Sequence, residues 1–192
     1  MKSVLLSTRP KWCERIASGK KTFEVRKTTP KCEVPFKVFI YQTKSRDTAI
    51  YKRYKVDDMR SGKVIGEFIC DKVEKWEYDF DEMVFGEGGM LLGLRKSYII
   101  LTDDLRMTCL SFNELSKYGK GKTLYGWHIS QLKIYDKPKE LREFYTIDES
   151  GNDCCIACVY HETPIKEMPC RTCTGERRYL YRPPQSWCYV EE

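Results

Sequence analysis

Residues 19–26, Gly19-Lys20-Lys21-Thr22-Phe23-Glu24-Val25-Arg26, carry the alternation from which the fold is read. In an extended segment successive side chains point to opposite faces, so Phe23 and Val25 fall on one side and Thr22, Glu24 and Arg26 on the other. Residues 21–27 are therefore predicted as a half-buried strand whose second face carries charge. Gly19 closes the segment before it. Residues 10–18 are predicted as a helix, with Thr8 or a neighbour as cap, Pro10 in the first turn, and Trp12 and Ile16 sharing one face at i, i+4. Val4 to Ser7, upstream, is a short apolar run that reads as a strand.

Further strands are predicted at 36–43, 62–76, 97–102 and 124–135, the second with Val64, Phe68 and Cys70 in phase. The basic stretch 44–55 reads as a solvated loop, and the acidic, glycine-rich 79–89 as another. A short helix is predicted over 111–118, opened by a Ser111/Glu114 capping box and ended by Gly119. Several short strands with two helices define an α+β, mainly β fold: a small β-barrel or strongly curved sheet with flanking helices. Two phosphate-binding patterns are excluded. Gly121-Lys122-Thr123 lacks the P-loop glycine at 116, where Ser116 stands, and the Gly86-x-Gly88-Gly89 run lacks the third glycine and the preceding apolar strand of a dinucleotide site.

Charge is unevenly placed along the 192 residues: 29 Lys and Arg against 22 Asp and Glu in residues 1–150, and 5 against 6 in residues 151–192. The excess of positive charge on the main body favours a polyanionic partner such as RNA, though many proteins carry as much without one. No stretch approaches the ~20 apolar residues of a membrane span, and Val4-Leu5-Leu6 falls far short of a signal peptide's apolar core. A cytoplasmic protein without a membrane partner is expected.

Six of the ten cysteines fall in the last forty residues. Cys155-x2-Cys158 and Cys170-x2-Cys173 are separated by eleven residues, the spacing that lets two thiolate pairs close a tetrahedral zinc site with sulfur ligands at ~2.3 Å. Four thiolates leave no open position, so the zinc is expected to be structural, and a loop this short and polar needs the metal to fold. Cys154, His161 and Cys188 are spare ligands; the two-residue spacing favours Cys155 over Cys154. The chain is thus divided into a body, 1–148, and a zinc module, 149–192. After Cys173 the tail interleaves Arg177, Arg178 and Arg182 with Tyr179, Tyr181, Trp187 and Tyr189. These aromatics are expected to pack the module onto the body, with a single-stranded nucleic-acid surface or a protein-docking element as the other readings.

The segment Gly19 to Arg26, following a strand, a proline-containing helix and that glycine, resembles the G-x-K-x-x-E-x-R signature of the ASCH family. Gly66-Glu67 and Tyr125-Gly126-Trp127-His128-Ile129 resemble the family's later strands, so that the likeness covers residues 1–145. It implies a PUA-like β-barrel with a cleft beside the signature strand, an RNA-related or nucleoside-related ligand, and Lys21, Glu24 and Arg26 facing that cleft. Strict alternation puts Lys21 with Phe23, so an irregular strand entry after Gly19, such as a bulge, is expected to turn it toward Glu24.

The leading reading is a module that binds RNA or a modified nucleotide through Lys21, Glu24 and Arg26: the cations hold phosphate and the carboxylate accepts from a base amine. Replacing Glu24 in an open cleft is expected to leave stability nearly unchanged. The resemblance also implies enzymes. In relatives that hydrolyse acylated cytidine, a lysine and a threonine act together; Lys21 matches the lysine, but Glu24 occupies the threonine position and Thr22 lies about 6 Å away along a strand. A ribonuclease needs only a general base and phosphate-holding cations, which Glu24 with Lys21 and Arg26 supplies. The surface ion pair that strands often carry is the bland alternative for Glu24 and Arg26.

Protein purified without chelator is expected to contain about one zinc per chain, and chelation to unfold the tail while the body survives. Metal analysis that finds no zinc contradicts this.

Overall fold

The computed structural model describes residues 1–44, 60–85, 91–147, 180 and 182–191. The chain divides into two compact units: Met1–Lys11, Phe36–Phe68 and Lys133–Glu192 in the first, Trp12–Pro35 and Ile69–Leu132 in the second.

The first unit is built on one sheet. β1 (Ser3–Thr8) pairs in parallel with β3 (Phe36–Gln42), Leu5 opposite Phe39, and antiparallel with β11 (Trp187–Glu191), Leu5 opposite Cys188. The full order is β10 (Tyr145–Thr146), β11, β1, β3, β4 (Val64–Cys70), β9 (Ser130–Lys139); β4 beyond Phe68 and β9 before Lys133 belong to the second unit. One face buries Leu5, Phe39, Tyr41, Val64, Tyr135, Phe144, Leu180 and Val190. Phe39 and Phe144 meet edge-on at 4.8 Å, a geometry worth about 1 kcal/mol beyond the area it buries. The C-terminal residues 187–191 thus form a strand of this sheet, and Tyr189 and Val190 are buried in it.

In the second unit, β2 (Phe23–Arg26) and β5 (Val73–Trp76) flank β8 (Leu124–His128), both antiparallel to it. β6 (Tyr78–Phe85) and β7 (Leu91–Tyr98) form a separate hairpin. Phe23, Val25, Trp76, Tyr98, Leu105, Leu115 and Leu124 make the core. Gly126 is one close approach in this packing: a Cβ there would lie 2.4 Å from the Trp76 ring. Among the described residues of the chain the α-helices are α1 (Pro10–Ala17), α2 (Thr102–Thr108) and α3 (Phe112–Gly119). α3 opens with the expected capping box: Ser111 Oγ accepts from the Glu114 amide at 3.3 Å and the Ser111 amide donates to Glu114 Oε2 at 2.9 Å, but its left-handed C-cap is Lys120, one residue beyond Gly119.

The chain is mainly β, but the described strands run in three sheets and do not close into the barrel expected from the sequence. Two predicted strands are each two. Residues 62–76 break at Asp71 and Lys72, where the Lys72 carbonyl accepts from the His128 amide, and residues 124–135 break at Ile129, whose amide donates to the Thr22 carbonyl. Most of 79–89, read as a loop, is strand β6, and the strand placed at 97–102 is the end of β7 followed by the start of α2. Residues 44–55 fall almost entirely outside the described residues. Within α1, Ile16 and Cys13 are each 1% exposed, whereas Trp12, expected to share one face with Ile16, is half-buried.

Candidate functional site

Gly19 ends α1 in the left-handed region at φ 71°, a conformation glycine adopts without strain, and its amide closes on the Ile16 carbonyl at 2.9 Å. The chain then turns back: the Lys21 amide donates to the Arg15 carbonyl at 3.0 Å and the Thr22 amide to Met107 at 3.0 Å, so that the ladder begins only at Phe23. Lys21 therefore lies outside the strand's alternation, and its side chain swings to the face that carries Glu24.

Three charges meet there. Arg26 Nη2 stands 2.7 Å from Glu24 Oε1 and Lys21 Nζ 3.4 Å from Glu24 Oε2, and the three residues are 8%, 5% and 3% exposed in the order Arg26, Glu24, Lys21. The Lys21 ammonium also donates to the Thr108 carbonyl at 2.8 Å. That carbonyl sits at the C-terminus of α2, where the helix dipole is negative and favours a cation. Thr108 is itself fully buried and braced: its hydroxyl donates to Leu105 O at 2.6 Å and accepts from the Leu110 amide at 3.1 Å. On the other side the ammonium lies 5.2 Å from the centroid of Trp12.

Burial lowers the Lys21 pKa from the ordinary lysine value; Glu24 opposes this and does not cancel it. Cys13 lies beside the same cluster, and burial, with the Glu24 charge adding to it, pushes its thiol far above the usual range, which leaves it inert as a nucleophile. Glu24 Oε2 has no hydrogen-bond partner in this buried setting, and neither has Thr22 Oγ1. At 3.4 Å the Lys21 contact to Oε2 is an ion pair, which leaves a lone pair of the carboxylate open to a donor.

The three residues singled out in the sequence thus converge, but as a buried triad and not as an open rim. That overturns the expectation that Glu24 is dispensable to the fold, since removing its charge strands two cations in a low-dielectric interior. Thr108, Trp12 and Cys13 were not read as part of the site. Trp12 and Cys13 carry a local signal, being one turn apart from residues of a helix that ends at Gly19; the Thr108 carbonyl, 87 residues from Lys21 in sequence, carries none.

His128, on β8 opposite Phe23, pairs through Nδ1 with Asp71 Oδ1 at 2.6 Å. Burial acts to raise the Asp71 carboxyl, but the imidazole contact outweighs it and holds the group below its ordinary value. Cys155, Cys158, Cys170 and Cys173 lie outside the described residues, as do Cys154 and His161, and among the described residues no three His, Cys, Asp or Glu side chains gather as a metal site. Cys188 is in β11. Among the described residues no helix is long and apolar enough to cross a membrane.

The family model of the ASCH domain matches residues 6–133, two-thirds of the chain, and takes in the whole second unit. The chain belongs to the ASCH family. Two crystal structures of an ASCH protein from Zymomonas mobilis, one of them of a point mutant, share its fold: TM-scores are 0.51 and 0.52 at 17% and 16% identity, over all of this chain and 89% of theirs. A search of curated proteins returns no match. The matched range includes Gly19, Lys21, Glu24 and Arg26, the residues that carry the resemblance read in the sequence, which are the turn and the triad just described.

Glu24→Gln is expected to cost about 3 kcal/mol in chemical denaturation, with Glu24→Asp costing clearly less because the charge remains. Equal stability of the wild type and Glu24→Gln contradicts a buried triad.

Proposed function

We propose that this ASCH chain binds RNA, or a nucleotide derived from it, at the Lys21–Glu24–Arg26 cluster. One observation carries the reading: a buried cluster with two cations and one carboxylate, whose Oε2 is met only by the long 3.4 Å contact to the Lys21 ammonium. A buried ion triad is a weak source of stability, and well-packed apolar residues of the same volume commonly do as well or better. A triad with surplus positive charge is suited instead to an anionic group, and an acceptor so weakly met is suited to a base amine. The positive surplus of residues 1–150 supports the same partner through phosphate attraction.

Hydrolysis is the second reading, and the lowered pKa of Lys21 favours it: a lysine that loses its proton more readily holds more of its amine in the free form near neutral pH, the form that can accept a proton from an attacking water. Glu24 holds the position of the relatives' threonine, and the buried Thr22 hydroxyl is the nearest replacement in sequence. The four-cysteine tail is proposed, on its spacing alone, as a structural zinc module and as the contact surface for any protein partner.

Calorimetry with short RNA and with the 5′-mononucleotides tests both. Binding is expected to fall steeply with salt, to weaken nearly uniformly across bases in Arg26→Lys, and to lose about tenfold of base preference in Glu24→Asp. Because Lys21 is charged below its lowered pKa, binding that uses the ammonium declines as pH rises through that value, sooner than an ordinary lysine near 10.5 allows. Turnover that uses the free amine rises over the same range. Binding indifferent to both substitutions leaves Glu24 and Arg26 as a structural pair.

A further inference from the structure

Trp12 is placed differently from the other apolar residues of its helix that pack inward. Cys13 and Ile16 are each 1% exposed, while Trp12, the largest side chain of α1, is only half-buried. An apolar ring left partly wet sacrifices burial that the fold obtains from its neighbours. Its position is specific: the Lys21 ammonium lies 5.2 Å from the ring centroid and 3.4 Å from Glu24 Oε2, whose sister oxygen is 2.7 Å from Arg26. Cys13, the next residue, feels the charges of both Glu24 and Arg26. One turn of α1 therefore runs along the triad, with a small inert thiol beside the carboxylate and a large aromatic beside the lysine.

We propose that Trp12 is a stacking platform for the nucleobase of the bound nucleotide, an inference that rests on the nucleotide-binding reading above. The three chemistries a nucleotide presents each meet a complement within this one turn and strand: the π-face of the base the indole, a base amine the open Glu24 oxygen, and the phosphate Lys21 and Arg26. The ammonium on the ring adds a cation–π contact that fixes the indole before the ligand arrives, so little ordering is left to do on binding. Every base has a π-face, so the platform strengthens binding without selecting sequence; selection is left to Glu24. Trp12 is in this sense a binding residue and takes no part in proton transfer.

Titration of the wild type, Trp12→Phe and Trp12→Leu with 5′-CMP, 5′-AMP and ribose 5-phosphate, by calorimetry and tryptophan fluorescence, tests this. Trp12→Leu is expected to weaken both nucleotides about 5- to 100-fold while ribose 5-phosphate, which has no base, stays within about twofold; Trp12→Phe falls between. In a Trp187→Phe background, where Trp12 is the one tryptophan left partly exposed, the nucleotides are expected to quench emission and the quenching to vanish when Trp12→Phe is added, because Trp76 and Trp127 are 3% and 0% exposed and remain shielded. If folded Trp12→Leu binds the nucleotides as the wild type does while Arg26→Lys does not, the platform is wrong and the triad reading stands. Equal weakening of all three ligands also overturns it, since Trp12 then acts only by positioning Lys21. Failure of the wild type to bind either nucleotide removes both readings.

Discussion

Glu24 keeps a carboxylate at 5% exposure because Arg26 and Lys21 stand against its two oxygens at 2.7 and 3.4 Å. Desolvating a lone charge costs several kcal/mol even after the protein relaxes, so none of the three charges can be buried here without the others. The constraint reaches outward from the side chains. Gly19 has to take a left-handed turn so that Lys21 leaves the strand's alternation, and the C-terminus of α2 has to arrive with the Thr108 carbonyl to hold the ammonium. β2, the end of α1 and the end of α2 are thereby tied to one carboxylate, and the second unit is organised around a group that a more stable fold would replace with hydrocarbon.

That organisation bears on function through Lys21. Burial dominates, and although Glu24 favours the charged form the proton is held less firmly than in an exposed lysine. A ligand anion that enters the cluster supplies the charge compensation that burial withholds, and binding and protonation of Lys21 are then linked. The same weakening of the proton is what a general base requires, so binding and hydrolysis draw on one electrostatic feature and differ in what the ligand presents to it.

The site was legible in the sequence because its parts are local. A glycine, then alternation with a charged face, places Glu24 and Arg26 together by the period of a strand and Lys21 near them by the turn. Burial was not legible: nothing in GKKTFEVR says that Lys21, Glu24 and Arg26 are left at 8% exposure or less, and an exposed ion pair would read the same. The hairpin β6 and β7 went unread because Asp79, Asp81 and Glu82 made the segment look solvated, although Tyr78 and Phe80 alternate with the first two acids as a strand requires. α2 announced itself by Thr102-Asp103-Asp104, acids in a first turn, but was short enough to be absorbed into the preceding apolar run. The strands at 62–76 and 124–135 were over-extended because breaks at Asp71–Lys72 and Ile129 are made by hydrogen bonds to distant segments, which no local pattern records. Trp12 looked like core because i, i+4 spacing with Ile16 is shared by a buried stripe and by a residue on that stripe's edge.

The measurement that tests the buried cluster most directly is the titration of Lys21 itself, followed by NMR of 13C-lysine-labelled protein, assigned with Lys21→Arg, without ligand and with saturating 5′-CMP. Desolvation in the triad predicts that Lys21 titrates below the ordinary lysine value of 10.5 in the free protein and moves upward when the nucleotide's anion is bound. A Lys21 that titrates at the ordinary value and is unmoved by 5′-CMP would contradict both the burial of the cluster and its use as a nucleotide site.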